Sequence, residues 1–88
     1  MYYVYILQSL AKSRKYIGST DNISRRLIMH NSGATKSTKP HRPLIVIYSE
    51  SFSTKTEALK REIFLKKNYK AREEIYDRIK HMALSSIG

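Results

Sequence analysis

The chain has no cysteine, which excludes disulfides, cysteine-bound zinc and thiol chemistry together. It also has no apolar run approaching the roughly 18 residues of a membrane-spanning helix. The N-terminal YYVYILQSL is too short and lacks a basic leader, so a secretory signal is not expected. Acidic residues are scarce, 7 against 17 Lys and Arg, and the formal charge is +10. That imbalance exceeds what solubility requires. It points to a polyanionic partner, nucleic acid ahead of an acidic membrane surface. No internal repeat and no linker interrupts the 88 residues. The expected organisation is one small domain over 1–83 with a flexible tail over 84–88. In so short a chain the residues that form a site must also do much of the packing. A cytoplasmic protein is the simplest reading of this composition.

Residues 2–9, YYVYILQS, are aromatic and β-branched and read as a strand. Residues 15–20, KYIGST, read as a second, joined to the first by the polar LAKSR in a hairpin. Thr20 or Asp21 is placed to cap a helix running to about His30 or Asn31. The segment 34-ATKSTKPHRP-43 is basic, proline-punctuated and without periodicity, and reads as a loop. The continuous apolar run in 44-LIVIYSE-50 predicts a central strand covered on both faces. Thr54-x-x-Glu57 is a capping-box pattern opening a helix over about 55–69. A last helix over about 72–83 carries Ile75, Ile79 and Met82 on one stripe. The order is β-β-α-β-α-α.

Two of these helices carry charge where packing residues are expected. At about 100° per residue, Ile23, Arg26, Leu27 and His30 share a face and Arg25 points away. Packing alone offers one account: Arg26 snorkels and His30 caps the helix end. In the next helix Ala58, Leu59, Leu65 and Tyr69 define the inward stripe, with Glu62 in its middle. A carboxylate there is costly unless it meets a cation or a metal, and a structural Glu62–Arg26 ion pair is one solution. The chain has seven tyrosines. Alternation puts Tyr3 and Tyr5 on one face of the first strand, and Tyr16 and Gly18 on one face of the second. Each tyrosine taken singly suits a half-buried sheet position. Two tyrosines, an arginine, a histidine and a glutamate converging on one concavity of a basic domain suit chemistry on a phosphate. Lys36, Lys39 and Arg42 in the basic loop are candidates for contact with a nucleic-acid backbone.

These residues stand in a recognisable order. The triplet 3-YVY-5 is followed by 16-YIG-18, then Arg26 eight residues after the glycine, His30 four further on, and Glu62 on the helix after the third strand. The ordered set resembles the GIY-YIG nuclease domain, most closely its small stand-alone bacterial members. The first motif departs from the family in carrying Tyr3 where glycine is usual, and Asn68 is left without a role. The resemblance implies a small three-stranded sheet flanked by helices, in the α/β (α+β) class. It also implies metal-dependent cleavage of phosphodiester bonds, in DNA with RNA as a further possibility. By the same resemblance Glu62 holds a divalent cation, Mg²⁺ or Mn²⁺, and Arg26 contacts the phosphate. Tyr5 or Tyr16 orients or deprotonates the attacking water, His30 assists proton transfer, and Gly18 permits close approach. The expected activity is structure-directed cleavage in repair or recombination, with targeting by a homodimer or a protein partner. The alternative is a non-catalytic nucleic-acid-binding module on the same scaffold.

Overall fold

A computed structural model describes the backbone of residues 1–87 and the side chains of residues 1–82. The three strands are β1 (Tyr2–Ser9), β2 (Lys15–Thr20) and β3 (Leu44–Phe52), and the helices are α1 (Ile23–Asn31), α2 (Lys55–Lys67) and α3 (Tyr69–Ile87). The sheet is antiparallel with order β2-β1-β3. This is the α+β arrangement that the element order predicts. The last helix continues to Ile87, past the end expected near residue 83, and of the flexible tail expected over 84–88 only residue 88 lies outside the described backbone.

The central strand is β1, not β3. Val4, Tyr5, Ile6 and Leu7 are all buried, so β1 is covered on both faces. The apolar run in β3 has another origin. The β1–β3 register steps from Ile6↔Tyr48 to Leu7↔Val46, leaving Ile47 as a bulge. The extra residue lets Ile47 and Tyr48, neighbours in sequence, both pack on the same core. An uninterrupted hydrophobic stretch therefore arises on an edge strand, where Ile45 stays exposed.

The sheet separates two hydrophobic clusters. On one face Tyr5, Leu7 and Leu44 pack with Ile23 and Leu27 of α1. On the other Val4 and Ile6 pack with Ala58 and Leu65 of α2 and Ile75 of α3. Each fully buried aliphatic side chain contributes about 1.5–3 kcal/mol. Ala58 and Leu65 form the inward stripe of α2, whereas Leu59 and Tyr69, expected on it, are exposed. Met82 is likewise outside the stripe that Ile75 and Ile79 make.

Helix ends follow side-chain chemistry. Asn22, rather than Thr20 or Asp21, caps α1: its Oδ1 accepts from the Arg25 amide at 3.0 Å. Thr20 instead accepts from the Asn22 amide at 3.2 Å. Thr54 caps α2 by accepting from the Glu57 amide at 3.2 Å. Asn68 takes an extended conformation and its side chain accepts from the Ala71 amide at 3.0 Å. It therefore ends α2 two residues early and starts α3 three residues early. The loop after α1 is pinned rather than loose. Asn31 exchanges two hydrogen bonds with the backbone of Leu44, at 2.7 and 2.9 Å. Ser9 Oγ donates to the His41 carbonyl at 2.6 Å, and a single 3₁₀ turn spans Lys39–His41.

Candidate active site

Tyr5 and Gly18 face each other across the β1–β2 pair. A Cβ on Gly18 would stand 2.5 Å from Tyr5 Oη and 2.7 Å from Cζ. The Gly18 backbone is not in the positive-φ region; among the described residues only Gly33 is. Glycine at position 18 therefore serves space: the phenol ring lies where a side chain would be. The close approach expected at Gly18 is made by Tyr5 itself.

The Tyr5 hydroxyl reaches His30 Nε2 at 3.3 Å, and His30 Nδ1 lies 2.9 Å from Thr38 Oγ1. Thr38 donates its own proton to the Thr35 carbonyl at 3.4 Å. In the tautomer that this bond favours, Nδ1–H donates to the Thr38 oxygen and Nε2 is left to accept from Tyr5. His30 is 5 % exposed. Burial, helped by the nearby Arg26 guanidinium, pushes its pKa below 6.5. His30 is thus a buried neutral base and not a cation capping the end of α1.

Arg26 stands on the same face of α1 and opens into the same cleft, while Arg25 turns to solvent and pairs with Asp21 at 3.3 Å. Glu62 does not pair with Arg26. Ser19 Oγ donates to its Oε1 at 2.6 Å and Lys66 Nζ to its Oε2 at 2.7 Å. Burial opposes ionisation of Glu62, but the bonds from Lys66 and Ser19 outweigh it and hold the carboxyl below its usual pKa of 4.5.

The two groups approach from opposite faces of the sheet. Tyr16 and Gly18 point to the α1 side of β2, and Lys15, Ile17 and Ser19 to the α2 side. β2 is an edge strand, and a cleft of about 570 Å³ wraps its free edge. Tyr5, Tyr16, Gly18, Arg26, His30 and Glu62 all line it. Three further cations, Lys15, Lys66 and Arg72, line it as well; only the last lacks a hint in the motif spacing. Lys15 precedes the YIG triplet and Lys66 lies one turn beyond Glu62. Arg72 also closes the end of α2, donating to the Leu65 and Lys66 carbonyls at 2.7 and 2.8 Å.

The loop cations are placed differently. Lys39 and Arg42 line a separate concavity with Asn31 and the two prolines, and Arg42 Nε is tied to the Lys39 carbonyl at 2.9 Å. Lys36 is exposed. The loop sends Thr35, Ser37 and Thr38 into the cleft instead.

The tyrosines differ in what receives their protons. Tyr5 faces an imidazole nitrogen, a base. Tyr16 donates to the Ser37 carbonyl at 3.3 Å and lies against His41; a carbonyl does not take up a proton near neutral pH.

Among the described residues no group of three His, Cys, Asp or Glu is arranged to hold a metal. Glu62 is the one carboxylate in the cleft lining. A hard cation such as Mg²⁺ takes one or two carboxylates and keeps several waters. An ionised carboxylate beside the Ser19 hydroxyl in an open cleft fits that kind of ion, and does not fit zinc.

The GIY-YIG catalytic domain matches residues 1–76. A UPF0213 protein of Staphylococcus haemolyticus is 42% identical over 66 residues, covering 74% of this chain and 79% of that protein. The UPF0213 protein YazA of Bacillus subtilis is 42% identical over 62 residues, covering 69% and 63% respectively. The solution structure of a UPF0213 protein from Bacillus halodurans is similar in fold. Its TM-score is 0.53 at 29% identity, covering 86% of this chain and 82% of that one. Among the described residues no helix is long and apolar enough to cross a membrane. A nuclease-type domain with a nucleic-acid substrate is what such a match supports, and the chain belongs to the GIY-YIG catalytic domain family.

Proposed function

We propose that this protein is a divalent-metal-dependent endonuclease hydrolysing phosphodiester bonds in DNA. The observation that supports this most directly is the Tyr5–His30–Thr38 chain of hydrogen bonds, which ends in the same cleft as Arg26 and Glu62. Four cations against one carboxylate line that cleft, as a phosphate backbone requires.

Tyr5 is the group suited to activate the attacking water. A phenol starts near pKa 10, so it needs a proton acceptor and nearby positive charge. Neutral His30 supplies the acceptor at Nε2, and Thr38 holds the ring in the tautomer that leaves it open. Arg26 supplies the charge. Its guanidinium binds two phosphate oxygens at once and neutralises charge as the pentavalent transition state forms. After the cut His30 gives its proton to Tyr5 as Tyr5 releases one to solvent, and solvent protonates the leaving oxygen. Tyr16 shapes the wall and keeps its hydroxyl on Ser37. Glu62, oriented by Ser19, would hold the divalent cation, Mg²⁺ or Mn²⁺, which when bound neutralises charge on the scissile phosphate and leaving oxygen.

A single module usually needs about 600–1,000 Å² for sequence readout, a large share of so small a protein. Selection by DNA structure, as in repair or recombination, or through a second copy or protein partner, suits it better. Lys36, Lys39 and Arg42 would meet the DNA backbone beyond the cleft. A cytoplasmic setting goes with this reading. Labelled branched, nicked, single-stranded and duplex DNAs, and a matched RNA, incubated with Mg²⁺, Mn²⁺ or chelator, test the proposal. Metal-dependent cuts that Glu62→Gln abolishes, with binding kept within a few-fold, are expected. Tight binding with no cleavage on any substrate would leave the non-catalytic module as the better account.

A further inference from the structure

The carboxylate expected to take the metal has both oxygens engaged. Ser19 holds one, and the other carries the Lys66 ammonium at 2.7 Å. The two partners are unequal in freedom. Ser19 is part of the sheet, and Glu62 projects from between Ala58 and Leu65, both buried in the core. The Glu62 side chain is 16% exposed, whereas Lys66 is 52% exposed. Lys66 stands one helical turn from Glu62, so rotation about its own stem withdraws the ammonium without moving the backbone. The carboxylate stays and the lysine can leave. Where it goes is also set by the cleft, which Lys66 lines together with Lys15 and Arg26.

We propose that Lys66 is a resident counter-ion that competes with the divalent cation for Glu62 and yields its place when nucleic acid enters. The inference rests on the proposal that Glu62 holds the metal. In the free protein Lys66 keeps the carboxylate ionised and aimed. It also lowers metal affinity, because an ammonium held at the carboxylate repels a dication bound there. A phosphate in the cleft offers the ammonium another anion. Withdrawal of Lys66 then frees Glu62, so nucleic acid and metal each favour the other's binding, as linkage requires. Lys66 is in these terms a positioning residue acting through Glu62.

The test is direct Mn²⁺ binding, read by the electron paramagnetic resonance signal of free Mn²⁺, on wild type, Lys66→Met, Lys66→Arg and Glu62→Gln. No nucleic acid is present in the first series. A second series adds a single-stranded oligonucleotide with non-hydrolysable linkages. Circular dichroism confirms folding of each variant; Lys66 is exposed, so its replacements should fold. Lys66→Met keeps the stem and removes the charge. It should bind Mn²⁺ on the order of 10-fold more tightly than wild type, from loss of a competing ion pair and of cation–cation repulsion. Lys66→Arg should stay near wild type. The oligonucleotide should tighten Mn²⁺ binding to wild type and much less to Lys66→Met. Equal affinities for wild type and Lys66→Met, both lost in Glu62→Gln, would overturn the competition while keeping Glu62 as the metal ligand. Equal affinities for wild type and Glu62→Gln would remove Glu62 as the ligand, and the competition with it.

Discussion

Replacing Gly18 by alanine adds one methyl group to space that the Tyr5 ring already fills. The new carbon would lie 2.5 Å from Tyr5 Oη and 2.7 Å from Cζ, where nonbonded atoms settle at roughly 3.5 Å. Relief needs a ring shift of about 1 Å. Tyr5 has no slack, being packed with Leu7 and Leu44 on the strand covered from both sides. Overpacking of this kind costs about 1–3 kcal/mol. Loss of the Tyr5–His30 hydrogen bond adds about 1 kcal/mol. Alanine returns about 0.5–1 kcal/mol over glycine in a strand. The net is about 2 kcal/mol, or about 8–16 °C in Tm for a domain of this size. Thermal unfolding and single-turnover cleavage should both report the change, since the displaced phenol no longer meets His30. Adding Tyr5→Leu to the alanine variant should recover part of the stability, giving a double mutant more stable than the sum of the singles predicts. An alanine variant matching wild type in Tm and in turnover would refute the idea that Gly18 exists to seat Tyr5.

Arg26→Ala should lose on the order of 10²-fold in single-turnover rate at saturating DNA. Arg25→Ala, already paired to Asp21 in solvent, should lose little, and Arg26→Lys should rescue poorly; matching rates for the two alanine variants would favour a binding module. Glu50 accepts from Arg61 Nε and Nη2 at 2.8 and 3.0 Å and also from Tyr48, and the Arg61 bonds hold its pKa below 4.5. A folded pKa below the unfolded one gives stability that is present above about pH 4.5 and lost as pH falls through the folded value. Glu50→Gln should therefore cost about 1–3 kcal/mol at pH 7, with the gap to wild type narrowing at about pH 3; a gap of constant size in urea titrations would exclude the ion pair as its source. Lys15→Ala should lower the salt slope of DNA binding by about one unit. The triple replacement of Lys36, Lys39 and Arg42 should lower it further while leaving turnover at saturating DNA unchanged, and an unchanged slope would end the DNA path at the cleft.

The elements were legible where local chemistry decides them. The hairpin strands show alternation and aromatic content, and Thr54 marks the start of α2 by its spacing to Glu57. The position of β3 in the sheet was not legible, because a bulge at Ile47 leaves no residue of its own and mimics the apolar run of a buried strand. The boundary at Asn68 is not legible, because a single capping amide interrupts an otherwise helix-favouring stretch. In the site, helix and strand periods set Arg26 beside His30, Tyr16 beside Gly18 and Glu62 within an inward stripe, and the resemblance to the GIY-YIG domain singles out Tyr5 and the order of the set. Their partners are not legible. Ser19 meets Glu62 across 43 positions, and Thr38 reaches His30 only because the loop is tied to β1 and α1. The loop cations illustrate the converse: charge in the sequence does not say that Arg42 folds back on the Lys39 carbonyl.

The position of the cleft over a sheet edge has a consequence for how such a protein can vary. Tyr5, His30 and Arg26 depend on the α1-side cluster, and Glu62 and Lys66 on the α2-side cluster, with only the thickness of β2 between them. On the proposed reading, substitutions beneath one half would act first on Tyr5, His30 and Arg26 while the carboxylate keeps its seat, and those beneath the other would act first on Glu62 and Lys66. The single shared part is the β1–β2 pairing. Divergence within this scaffold can then begin on either side of the sheet, and is most constrained along one short hairpin.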